Sequence, residues 1–104
     1  MIKHIVIWKL REFSSREEKT KTAQNLRSKL LEMQESISEI QSVEVGINHD
    51  KASPSNYDVI LITRFKTWND LQAYKVHPAH QELIEYLQNI RELRVAIDYL
   101  EEEN

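Results

Sequence analysis

The densest polar chemistry in the chain is the run Tyr74-Lys75-Val76-His77-Pro78-Ala79-His80, which holds two of the four histidines beside a tyrosine and a proline. Histidine titrates near neutrality and can take a proton from a carbon next to a carbonyl. A tyrosine hydroxyl can donate to the oxyanion that forms. The two histidines and Tyr74 are therefore candidates for base and donor. Pro78 suits the first turn of a helix and disfavours helical backbone at His77, so a helix must break there. Such a break would let Tyr74 and His80, six positions apart, turn toward each other.

Each of these residues also has a purely structural reading. His77, just before a proline, suits an N-cap. Tyr74 can be a core residue with its hydroxyl at the rim, and His4 a hydrogen-bonded histidine between a sheet and a helix. Three histidines can hold zinc, and His77 and His80 are three apart. No HExxH motif or carboxylate cluster accompanies them, so no metal site is expected. His49 falls in a loop and is expected to face solvent.

The composition narrows the function classes. The 104 residues suffice for one domain with a single core. A net charge of -3 with interleaved signs argues against nucleic-acid binding, which needs clustered cations. The absence of cysteine removes disulfides, thiolate nucleophiles and iron–sulfur ligation, and agrees with a cytoplasmic setting. A single glycine, Gly46, excludes a glycine-rich phosphate loop and the dinucleotide fingerprint. No cofactor is expected. The amino end is broken by Lys3, His4 and Lys9 and does not read as a signal peptide. No run is long enough to span a membrane.

The remaining segments must position the polar residues. Residues 2–10 read as a strand with His4, Val6, Trp8 and Leu10 on one face and Ile5 and Ile7 on the other. Ser14 with Glu17, or Ser15 with Glu18, opens a helix whose apolar stripe is Ala23, Leu26, Leu30, Met33, Ile37 and Ile40. Val43, Val45 and Ile47 mark a second strand, with Gly46 at a bulge or a close approach. Tyr57–Phe65 is the third strand, paired with the second as an antiparallel hairpin. Thr67 and Asp70 cap a short helix that runs to His77, and a further helix follows with His80, Leu83, Ile84 and Leu87 on one face. Val95, Ile97 and Tyr99 belong to the last strand. Glu101-Glu102-Glu103-Asn104 is expected to be a solvated acidic tail to a single domain of residues 1–100.

The order is β-α-β-β-α-β, an α+β, ferredoxin-like arrangement with a four-stranded antiparallel sheet and helices on one face. The first and third strands are apolar on both faces, through Ile5, Ile7, Ile60 and Ile62. A monomer would leave one set bare, so a homodimer joined through the bare sheet face is expected.

Four segments together resemble the stress-responsive A/B barrel domain, often called Dabb. They are Ile2–Leu10, Tyr57-Asp58-Val59-Ile60-Leu61 leading to Phe65, Leu71-Gln72-Ala73-Tyr74 with His77-Pro78-Ala79-His80, and Val95-Ala96-Ile97-Asp98-Tyr99. The resemblance covers nearly the whole chain, and YxxHPxH is its most specific part. It implies a dimeric α+β barrel. Most members have no assigned activity. A plant polyketide cyclase among them performs an intramolecular aldol condensation without metal or organic cofactor. Its pocket residues match His4, Tyr74 and His80 by position, which implies His80 as base, Tyr74 as hydrogen-bonding partner and His4 as a second donor. That cyclase has aromatic residues on its first helix, whereas residues 14–41 here contain no Phe, Tyr or Trp. The expectation is a homodimer that binds a small apolar or aromatic metabolite. The alternatives are a cofactor-independent cyclase, lyase or isomerase using His80, and a structural dimer with a filled core.

Overall fold

The computed structural model describes residues 1–102. Its elements are β1 (Ile2–Leu10), α1 (Arg16–Ser36), β2 (Ser42–Ile47), β3 (Val59–Phe65), α2 (Trp68–Val76), α3 (Pro78–Gln88) and β4 (Arg91–Leu100). The four strands form one antiparallel sheet in the order β2-β3-β1-β4. This is the expected ferredoxin-like α+β architecture, with the second helical region divided in two at His77.

Side-chain alternation on the central strands builds the core. His4, Val6, Trp8 and Leu10 of β1, with Val59, Leu61, Thr63 and Phe65 of β3, are buried on the helix side. Leu26, Leu30 and Met33 of α1 and Leu71 and Tyr74 of α2 belong to the same buried set. On the opposite side, antiparallel register lines up two apolar rows, Ile62–Ile5–Ile97 and Ile60–Ile7–Val95. The members on β1 and β3 are half-buried by their neighbours, but Val95 is 47% and Ile97 57% exposed. The face expected to be bare therefore extends onto β4.

Local signals explain the element ends. Ser15 is the N-cap of α1 and accepts from the Glu18 backbone N–H, while Ser14 donates to the Glu18 carboxylate at 2.6 Å. The helix ends at Ser36, earlier than its apolar stripe suggests. Ile37 is the C-cap and Ile40 follows in a turn, yet both stay buried. An apolar spacing of three also fits a turn folded under the helix end, so periodicity alone overextends the helix. Gly46 marks a close approach rather than a bulge. Its register with Ile60 is unbroken, and a Cβ there would lie 2.9 Å from Ile60 Cγ2.

The carboxyl end departs from the expected solvated tail. β4 starts at Arg91, and the backbone N–H of Glu101 donates to the Met1 carbonyl at 2.8 Å. The Glu101 carboxylate accepts from Arg64 Nε at 3.0 Å and Nη2 at 3.2 Å, a two-pronged pair that draws it onto the sheet. Residues 103–104 of that expected tail lie outside the described residues.

Leu30→Ala is expected to lower unfolding free energy by about 2–5 kcal/mol, because a fully buried side chain is removed. Thr67→Ala, which removes the hydroxyl that accepts from the Asp70 N–H, is expected to cost about 1 kcal/mol. Urea denaturation midpoints of the two variants check both magnitudes.

Candidate active site

The break between α2 and α3 is made by one residue with two duties. His77 is the C-cap of α2 and the N-cap of α3, with extended backbone at φ -65° and ψ 138°. Its Nδ1 accepts from the Ala79 backbone N–H at 3.0 Å. The ring is thus used by the backbone, and Pro78 supplies the next helical residue without needing an N–H partner. The turn sets His80 against Tyr74, with ring centroids 4.4 Å apart. Tyr74 also meets His4 of β1 edge-on at 5.7 Å and Phe65 at 5.1 Å.

His4, Tyr74 and His80 share a cavity of about 270 Å3, completed by Val6, Trp8, Leu61, Leu83, Ile84, Leu87, Arg91 and Arg94. Its walls come from β1, β3, α2, α3 and β4 and include no residue of α1. The aliphatic stripe of that helix belongs to the core and takes no part in this cavity. A larger depression of about 670 Å3 lies over Ile7, Ile60 and Val95 on the open sheet face. It has no histidine and belongs to the bare apolar surface.

The two histidines are held in defined orientations. His80 Nδ1 lies 3.0 Å from the Lys75 carbonyl. A carbonyl only accepts, so Nδ1 carries the proton and Nε2 keeps its lone pair. His4 Nδ1 is hydrogen-bonded to Asp98 Oδ1, and Lys75 Nζ lies 3.6 Å from Asp98 Oδ2. By the same logic the neutral His4 ring is protonated at Nδ1 and keeps a lone pair on Nε2.

Burial favours the neutral form of every titratable ring here. Desolvation lowers the His4 pKa more than Asp98 raises it. Desolvation likewise lowers His80, against the raising effect of the Lys75 carbonyl. It pushes Tyr74 well above its ordinary value, so the phenol stays a donor. The indole N–H of Trp8 is buried in the cavity wall with no partner among the described residues. An orphaned donor of this kind costs about 1–3 kcal/mol.

His49 is exposed, and its Nδ1 accepts from the Lys51 N–H. Among the described residues no group of three histidines, aspartates or glutamates comes together to hold a metal. Asp98, Arg91, Arg94 and Trp8 enter the site without having been singled out by sequence spacing. A signal for two of them exists: Arg94, Ala96 and Asp98 alternate on β4, and register places Asp98 opposite His4 and Arg94 opposite Trp8. No helix among the described residues is long and apolar enough to cross a membrane.

Known proteins share this architecture. A dimeric protein of unknown function and ferredoxin-like fold from Bacteroides fragilis is 30% identical, with 94% of this chain and 93% of that one covered at a TM-score of 0.83. A Dabb family protein with a ferredoxin-like fold from Mesorhizobium loti is 19% identical, covering 98% and 97% at 0.74. A hydroxynitrile lyase from Passiflora edulis is 14% identical, covering 99% and 94% at 0.75. The latter two likenesses establish the fold alone. No curated protein matches the chain. The stress responsive A/B barrel domain matches residues 2–101, and the chain therefore belongs to that family.

Proposed function

We propose that this protein is a homodimeric small-molecule-binding module whose ligand, an apolar or aromatic metabolite, sits in the cavity between β1, α2–α3 and β4. The observation that carries this reading is the convergence of His4, Tyr74 and His80 on one 270 Å3 space with an otherwise largely aliphatic wall. Ligand sites are typically apolar cavities with a few converging polar groups. The dimer rests on the two apolar rows of the open face and on the dimeric relative from Bacteroides fragilis. The absence of cysteine supports a cytoplasmic setting.

A second reading, a cofactor-independent cyclase, lyase or isomerase, is favoured by the tautomer of His80. In it the Nε2 lone pair takes a proton from a carbon beside a carbonyl, and the Tyr74 hydroxyl donates to the enolate oxygen. His4 accepts in this scheme and does not donate, because its one proton faces Asp98. Asp98 acts as the positioning residue that holds the ring.

Four measurements test these readings. Sedimentation is expected to give twice the 12.4 kDa chain mass, and Ile97→Asp to return it to the monomer. Screening apolar and aromatic metabolites by thermal shift is expected to find a stabilising ligand, worth about 2.7 kcal/mol at one hundred times its Kd. Ile84→Trp, which fills the cavity from its wall, is expected to abolish that shift, and a screen without a hit refutes the pocket. For the enzyme reading, His80→Gln is expected to slow deuterium exchange at the α-carbon of a bound ketone about 10²–10⁴-fold while binding persists; no exchange in the wild type refutes it.

Stability should also respond to pH. The folded-state pKa values of His4 and His80 lie below the unfolded value. Between the two values the unfolded chain binds more protons, so stability falls as pH falls. The melting temperature is expected to decline as pH drops through about 6.5, and to decline less in His80→Gln.

A further inference from the structure

We propose that the ligand is a small apolar acid, bound as its carboxylate by Arg91 and Arg94 at the edge of the cavity, with its hydrocarbon body against Leu83, Ile84 and Leu87. The inference rests on the small-molecule reading above and names the class of ligand. Three observations carry it.

The first is charge. The residues lining the cavity include two arginines and no aspartate or glutamate. The second is that neither arginine is in an ion pair among the described residues, although their acidic neighbours on β4 are taken. Glu92 lies 3.5 Å from Lys9 Nζ, and Asp98 is held by His4 and Lys75. Two unpaired guanidinium groups beside an apolar space present a fork that matches a carboxylate. The third is the reach of the Arg94 charge, which adds to the desolvation that lowers His4 and His80 and opposes the desolvation that raises Tyr74. Its field therefore falls on the same interior that the three rings line. With both histidine Nε2 lone pairs available, the same cavity also offers two acceptors. At about 270 Å3 the space lies at the small end of ligand pockets.

The experiment compares acids with uncharged amides of the same shape. Benzoate and benzamide, and hexanoate and hexanamide, are titrated calorimetrically at neutral pH and constant ionic strength into the wild type, Arg94→Gln, Arg91→Gln and Ile84→Trp. Both arginines lie at partly or fully exposed positions, so their variants are expected to fold. Each acid is expected to bind at least about tenfold more tightly than its amide, the factor given by about 1.4 kcal/mol of charge-assisted pairing. Arg94→Gln is expected to remove that preference without weakening the amide, and Ile84→Trp to remove binding of both. Equal affinity of acid and amide in the wild type overturns the inference while leaving a pocket for neutral ligands intact. Acid binding that survives Ile84→Trp overturns it in favour of surface ion pairing. Failure of all four compounds overturns it as well, and the metabolite screen then decides the pocket reading separately.

Discussion

β1 is hydrogen-bonded along both edges, to β3 on one side and β4 on the other, and this double pairing is the constraint from which the rest follows. A strand fixed on both edges cannot rotate its side chains out of register. Its even-numbered residues are committed to the helix side and its odd-numbered ones to the open side. His4 is buried at 3% exposure only because it shares that commitment with Val6, Trp8 and Leu10. A histidine so placed needs a partner, and the register provides Asp98 across the strand pair.

The second constraint is the break at His77. A continuous helix would set Tyr74 and His80 about 120° apart around its axis, on divergent faces. The proline and the imidazole cap interrupt that progression and bring the two rings into contact. The cavity therefore owes its shape to backbone chemistry at one residue pair, while its hydrophobic walls come from ordinary packing. The ring that makes the break is consumed by capping, which separates the two histidines of the motif into one structural and one pocket-facing residue.

The fold was legible because its signals are local and redundant. Period-two alternation marked β1 and β3, the serine and threonine caps marked α1 and α2, and Pro78 marked the division between α2 and α3. Element ends were less legible. Ile37 and Ile40 keep a helical spacing but lie beyond the helix, and β4 begins four residues before Val95. At the candidate site, His4, Tyr74 and His80 stood out by residue type. Asp98, Arg91 and Arg94 did not, because charged residues on an edge strand look like solvated surface until the register is known. Only the pairing of β4 with β1 reveals that Arg94 and Asp98 face the helices. Glu101 illustrates the same limit: its partner Arg64 is distant in sequence, and no local pattern announces the pair.

β4 has two faces with different duties. Arg94 and Asp98 point to the cavity side, while Val95 and Ile97 carry the bare apolar surface. These residues alternate along one backbone, odd-numbered positions to one face and even-numbered to the other. One strand therefore borders both the cavity, through Arg94, and the open sheet face, through Val95, so a substitution that shifts its backbone would be felt on both sides.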